Sequence, residues 1–338
     1  MSNPATPGEQ DPARGTADLS RLTDLQTPWC VHTVATLHIA EHMAAGSHTA
    51  SDLAAAADCD AAALQSVLSY LASKGIFEET TPGRFFLNEC ARQLLRPGQF
   101  LDLSGIGGRM AYAWGTLPTY VRTGRPAYHE VFGLPFWEDL AAHPGVAASF
   151  DALMGLAGHG TPDPGLPVSG GWEQVRTVVD VGGGTGAMLA EILRARPWIH
   201  GTLVDLPGTV ARSGDTFQQA GVAGRVTLAG QSFFDPLPPG ADLYLLKKVL
   251  NDWPDTETIA ILRRCAEAAA PGGRVVVLGG VAPDEAPHGL SVEMVLLGGR
   301  TSTLTEFRAL ARQAGLVVAV AGRQPSGQFV VECRPADS

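Results

Sequence analysis

VVDVGGGTG, residues 178–186, decides the fold. Four residues of an apolar strand run into a glycine cluster, and the helix Ala187–Arg196 follows at once. Glycine lets the backbone turn sharply and approach a ligand closely, and the N-terminus of the next helix offers unpaired N–H groups. About twenty residues further on, a second run, Gly201–Val204, ends at Asp205. A carboxylate at the tip of a second strand is positioned to accept both hydroxyls of a ribose. Loop and acid in this order suit either a dinucleotide or an adenosyl cofactor.

Outward from this stretch, short β-branched runs alternate with helical segments. The runs are Thr177–Val181, Gly201–Val204, Val226–Leu228, Leu243–Leu246, Arg274–Leu278, Val317–Val320 and Gln328–Cys333. Such alternation predicts an α/β fold with a Rossmann-like, doubly wound parallel sheet, and the last two runs predict an antiparallel hairpin at its edge. Before the sheet, residues 97–163 read as mostly helical and rich in aromatic and methionine side chains, and Pro164–Gly170 reads as a linker.

The first third of the chain is different. Residues 1–20 read as a disordered leader. A helix is predicted over Pro28–Gly46, a short Ala-rich helix after the hydroxyl residues Ser47–Ser51, and another over Ala61–Ser73 behind Asp60, with Gly75 closing it. Ile76–Glu78 and Arg84–Leu87 flank a Thr-Pro-Gly turn and read as a hairpin. Helices followed by a hairpin form a winged-helix pattern, which suggests DNA binding. Yet no Lys or Arg occurs between Arg21 and Lys74. Helices without cations cannot neutralise phosphates, so these apolar helices are expected to serve a protein interface, and no nucleic-acid partner is expected.

Composition agrees. The chain has 338 residues, 45% hydrophobic and 17% charged, with a formal net charge of −10. This is a globular composition of more than one domain, with an acidic balance that disfavours anionic partners. Five widely spaced cysteines with no CxxC pair argue against a disulfide framework or a zinc site, and no metal is expected. The polar N-terminus lacks the apolar core of a signal peptide, and no run of 18 apolar residues spans a membrane. The expected location is cytoplasmic. The expected division is leader 1–20, winged-helix dimerisation domain 21–96, helical lid segment 97–168 and cofactor domain 169–338.

Several segments together are more specific. VVDVGGGTGAMLAEILRARP, TLVDLP, VTLAGQSFFDPLP, DLYLLKKVLNDWPD, APGGRVVVL and GGRTSTLTEFRALARQAGL, in that order, closely resemble the plant and bacterial small-molecule O-methyltransferases. TLHIAEHMAAGSHTASDLAAA resembles the dimerisation domain of that family, and the likeness spans about residues 22–334. It implies S-adenosylmethionine as cofactor, a homodimer, and a small aromatic natural-product substrate. It further implies that Gly182 and Gly184 face the methionyl part and ribose, that Asp205 takes the ribose hydroxyls, and that Leu206, Ser232, Phe233 and Trp253 lie around adenine. Lys247 would approach the methionyl end. Many relatives have an acid where this chain has Ser232. By family position, Trp114, Phe150, Met154 and Met294 would line the acceptor crevice with Asn251.

The resemblance breaks at the catalytic base. The family carries a His in an HDW motif, where this chain has Asn251-Asp252-Trp253. An amide cannot take a proton at physiological pH, although it can orient a substrate. The two acids that often bracket that His are replaced by Gly279 and Thr301. By residue type, His129, His143, His159, His288, Asp252 and Glu293 are alternative bases; His38, His42 and His48 sit in the dimerisation region. Methyl transfer is the leading expectation, to oxygen first and to carbon or nitrogen as further alternatives, either by proximity alone, to an acceptor that needs no base, or with one of these other residues as base. The alternative is a cofactor-retaining enzyme that catalyses cyclisation, hydroxylation or decarboxylation, with the sulfonium as a charge. A ligand-sensing or DNA-binding regulator is the third.

Overall fold

The computed structural model describes residues 18–96, 100–154, 163–286, 292–324 and 326–336. They belong to two compact units, Met1–Pro97 and Gly98–Ser338.

The first unit holds α1 (Leu19–Leu22), α2 (Gln26–Thr36), α3 (Ile39–Ala44), α4 (Ala50–Ala56) and α5 (Ala61–Ser73), then the antiparallel hairpin of β1 (Glu78–Thr81) and β2 (Arg84–Phe86). The single helix expected over 28–46 is two helices. The chain breaks at His38, whose φ of 51° is left-handed, and the turn brings Ile39, Ala40 and Met43 into the core beside Val34. Other local signals are read directly. Thr49 Oγ1 accepts from Asp52 N at 3.1 Å to cap α4, and Asp60 Oδ1 accepts from Ala63 N at 2.8 Å to cap α5. Leu53, Leu64, Leu68, Leu71, Phe77 and Phe85 close the core of this unit.

The second unit begins with α6 (Ile106–Ala113), α7 (Leu117–Thr123), α8 (His129–Phe132), α9 (Phe136–Ala142) and α10 (Pro144–Leu153). The sheet region runs β3 (Thr177–Val181), α11 (Ala187–Ala195), β4 (His200–Asp205), α12 (Pro207–Val210), α13 (Gly214–Gln219), β5 (Val226–Gly230), β6 (Leu243–Lys247), α14 (Asp255–Ala268) and β7 (Arg274–Leu278). It closes with β8 (Val281–Ala282), α15 (Val292–Leu297), β9 (Ser302–Thr303), α16 (Leu304–Gln313), β10 (Leu316–Arg323) and β11 (Phe329–Pro335).

The main sheet is ordered β10-β11-β7-β6-β3-β4-β5. Its strands are parallel from β7 to β5, and β11 pairs antiparallel with β7, as the hairpin signal predicts. β6 is buried at every position because helices cover both faces, which is why its run reads apolar without alternation. α14 and α16 pack one face through Ile261, Leu262, Phe307 and Ala311, and α11 and α13 pack the other through Leu189, Ile192, Leu193 and Phe217. Strand order reverses at β3, so a crevice opens beyond the carboxyl ends of β3, β4 and β6.

Pro164–Gly170 is not a free linker. Leu166 and Val168 are buried in the second face of the sheet, Ser169 N donates to Glu332 Oε2 at 2.8 Å, and Trp172 Nε1 donates to Leu166 O at 2.9 Å. The alternation Leu166-x-Val168 seats this segment on that face of the sheet. Among the described residues no helix is long and apolar enough to cross a membrane.

Candidate active site

β3 delivers the chain to the glycine turn, and each glycine there has its own reason. Gly182, Gly184 and Gly186 have φ of 67°, 60° and 83°, which side chains rarely adopt. At Gly186 a Cβ would stand 2.2 Å from Phe217 Cζ, so this glycine admits α13 against the turn. At Gly184 a Cβ meets nothing within 4 Å, so this glycine faces open space. The turn is held from β4: Gly184 N donates to Asp205 Oδ2 at 2.8 Å, and Leu206 N donates to Asp205 Oδ1 at 2.7 Å. Burial raises the Asp205 carboxyl above its ordinary range, and the two amides oppose that rise.

Beneath the turn lies an acid that motif reading passes over. Asp180 is 1% exposed; the Leu189 amide and the Lys247 ammonium act on its carboxylate, but neither oxygen closes a hydrogen bond of normal geometry among the described residues. Desolvation pushes it up to about 7; Lys247 pulls it down and Asp205 adds to the rise. Burial lowers the Lys247 ammonium from its ordinary value, opposed by Asp180. The signal for Asp180 was present in the sequence, as the one charged residue of an otherwise apolar strand two positions before the turn.

Aromatic rings border the other side. A Cβ on Gly182 would lie 3.4 Å from Phe233 Cε1, so that ring rests over the turn. Phe233 meets Trp253 edge-on at 5.8 Å between centroids, and Trp253 stacks with Trp137 of α9 at 6.1 Å and 18°. Trp137 meets Phe150 of α10 at 5.7 Å. Thus Gly182, Phe233, Trp253 and Phe150 of the expected site form one continuous chain of contacts, and Ser232, whose Oγ accepts from Phe234 N at 3.2 Å, adjoins it. A second tie links α10 to the turn after α12: Arg212 Nε donates to Asp151 Oδ2 at 2.9 Å.

Asn251 occupies a 3-10 turn, Leu250–Asp252, that packs beside α15, the helix carrying Met294. Its Nδ2 donates to Asp252 Oδ1 at 2.7 Å, while its Oδ1 is buried with no partner. The turn is clamped by glycines. A Cβ at Gly280 would lie 2.9 Å from Asn251 N, and one at Gly299 would lie 1.9 Å from Asn251 O. Met154 follows α10 and is partly buried. Trp114 stands apart, 43% exposed at the end of α6.

The alternative bases are dispersed. His129 is exposed. His143 Nδ1 lies 3.0 Å from Asp139 Oδ1, in a cluster where Tyr128 Oη donates to Asp139 Oδ2 at 2.7 Å and Arg109 Nε pairs with it at 2.8 Å. Asp252 is engaged with Asn251. Gly279 and Thr301, at the positions of the family's acids, bring no titratable group. His38, His42 and His48 belong to the first unit; His48 Nδ1 lies 3.2 Å from Phe85 O. His159, His288 and the side chain of Glu293 lie outside the described residues.

A doubly wound sheet with an acid-braced glycine turn at its switch point, preceded by a small helical unit, defines a class I methyltransferase architecture. Comparison with known proteins is specific. An O-methyltransferase domain matches residues 114–317, and an O-methyltransferase dimerisation domain matches residues 22–97. The chain is 41% identical to a 2,7-dihydroxy-5-methyl-1-naphthoate 7-O-methyltransferase of Streptomyces carzinostaticus, covering 90% of this chain and 93% of that one. It is 40% identical to the aclacinomycin 10-hydroxylase of Streptomyces purpurascens, covering 89% and 84%. Its fold matches that of an O-methyltransferase from neocarzinostatin biosynthesis, solved with S-adenosylmethionine and 2-hydroxy-5-methyl naphthoic acid. The TM-score is 0.84 at 39% identity, over 95% of this chain and 99% of that one.

The chain belongs to the O-methyltransferase family, and it is an S-adenosylmethionine-dependent methyltransferase of the natural-product type. Its residues fit that cofactor. An open glycine turn and a braced carboxylate suit the nucleoside, and a buried carboxylate with a buried ammonium complements a ligand ending in an ammonium and a carboxylate.

Proposed function

We propose that this enzyme methylates a hydroxyl oxygen of a small, flat aromatic intermediate, as a cytoplasmic homodimer with no nucleic-acid partner, and does so without an enzymic base. Gly182 and Gly184 receive the cofactor against the turn, Asp205 takes its ribose hydroxyls, Leu206, Ser232, Phe233 and Trp253 surround its adenine, and Lys247 holds its carboxylate. S-adenosylmethionine supplies an activated methyl group. Asn251 orients the acceptor, and Phe150, Met154 and Met294 enclose it. The catalytic contribution is position, and the acceptor's proton leaves to water.

One observation carries this reading: the Asn251 amide gives one N–H to Asp252 and keeps a buried carbonyl oxygen with no partner among the described residues. A buried acceptor of this kind costs free energy until a donor meets it, and an aromatic O–H is such a donor. The likeness to a dihydroxynaphthoate methyltransferase supports an acceptor of naphthoate type. The test is turnover of hydroxynaphthoic acids with methyl-labelled cofactor. Label in an ether product is expected; product that carries no label, formed while the cofactor is left intact, overturns methylation. That second outcome would favour a cofactor-retaining step, a reading supported by the 40% identity to a hydroxylase.

A further inference from the structure

We infer that Trp137, through its indole N–H, is a specificity-determining residue that binds a carbonyl or carboxylate oxygen borne by the aromatic acceptor; this rests on the acceptor class proposed above. Buried tryptophan N–H groups almost always find a hydrogen-bond partner. Trp137 Nε1 is buried and has none among the described residues. Its ring has little freedom to seek one. It is held edge-on against Phe136 at 5.0 Å and Phe150 at 5.7 Å and lies flat against Trp253 at 6.1 Å. The donor is therefore fixed in direction, which is what recognition of one ligand oxygen requires.

Its location gives the ligand. Trp253, against which the indole stacks, follows Asn251 by two residues and meets Phe233 on the glycine turn. One aromatic border thus carries two unsatisfied polar atoms of opposite kind. Asn251 Oδ1, a carbonyl oxygen, accepts only, and one N–H of its Nδ2 goes to Asp252. The Trp137 indole donates only. A flat ring system bearing a hydroxyl and, elsewhere on its edge, a carbonyl-type oxygen satisfies both; an unsubstituted phenol or naphthol satisfies one. In the cluster on α6, α8 and α9, Arg109 Nε pairs with Asp139 Oδ2 at 2.8 Å and Tyr128 Oη donates to it at 2.7 Å.

The experiment compares a hydroxynaphthoic acid with the naphthol that lacks only its carboxyl, each titrated into the full-length protein saturated with S-adenosylhomocysteine. The native protein is expected to bind the acid about tenfold to a hundredfold more tightly than the naphthol. Trp137→Phe keeps an aromatic ring and loses the N–H; it is expected to abolish that preference while its affinities for naphthol and for S-adenosylhomocysteine stay within about twofold. Trp137→His restores a ring N–H and is expected to recover part of the preference. Trp137→Phe retaining the full preference, or losing acid and naphthol alike, overturns the inference and leaves the proposed methylation standing. A native protein that binds S-adenosylhomocysteine but neither aromatic overturns the acceptor class and the inference with it.

Discussion

Asp205 Oδ2 accepts the amide proton of Gly184 across 2.8 Å, so the acid that ends the second strand also braces the turn that ends the first. The carboxylate therefore does two jobs at once. It fixes the backbone of the turn and still offers lone pairs toward the open space above Gly184. Asp205→Ala is expected to lower affinity for S-adenosylhomocysteine by about a hundredfold or more, since two hydrogen bonds to a charged acceptor are lost. Asp205→Asn should lie between. Calorimetric titration checks both, and an Asp205→Ala affinity within threefold of the parent would remove the ribose contact from the proposal.

A second expectation comes from the glycines behind Asn251. A Cβ at Gly299 would sit 1.9 Å from Asn251 O and 2.5 Å from Asp252 C, which is backbone and cannot swing aside. Gly299→Ala must move the turn that aims the Asn251 amide, and a displacement of about 1 Å costs about a hundredfold in rate. The expected pattern is a fall of that order in kcat for methyl transfer with S-adenosylhomocysteine affinity unchanged. Equal loss of cofactor affinity and rate would show instead that the whole crevice has collapsed.

The buried Asp180 predicts a pH dependence. Its folded-state value of about 7 exceeds the ordinary carboxylate value, so between about pH 4 and pH 7 the native chain holds a proton that the unfolded chain has released. Stability is therefore expected to fall as pH rises through that window. Lys247 moderates the fall, because an ionised Asp180 gains its attraction. Asp180→Asn removes the titration. In the ligand-free protein it should melt near the parent at pH 4 and several degrees above it at pH 8, by thermal denaturation followed in parallel buffers. A constant offset across the range would contradict the assignment.

The sheet was legible because its central strands are mostly apolar and end at punctuating residues, as Val181 does at Gly182 and Val204 at Asp205. The glycine turn and the acid that braces it were legible for the same reason: glycines and one acid at fixed chain positions are local signals. His38 misled the helix expectation because a left-handed non-glycine residue leaves no compositional mark. Trp137 and Asp151 were invisible as site residues, since their importance comes from partners over 60 positions away, Trp253 and Arg212, that only the packing of α9 and α10 onto the sheet unit brings near. Pro164–Gly170 looked like a linker because Pro and Gly outweigh two apolar residues in composition, whereas burial responds to those two.

The last prediction concerns Asn251. If position alone drives transfer, the acceptor's own ionisation sets the rate, and across a series of phenols kcat should climb as acceptor pKa falls. Asn251→Ala should weaken acceptor binding about tenfold by removing one hydrogen bond to a buried oxygen, with little change in that slope. Asn251→His introduces a group that titrates near 6.5. It should lift rates on weakly acidic phenols by tenfold or more, flatten their dependence on acceptor pKa, and add a limb to the pH profile that the parent lacks. Proton removal would then have passed from water to the protein. An Asn251→His profile identical to the parent's would mean that this turn does not face the reacting oxygen, and the acceptor would have to be placed elsewhere in the crevice.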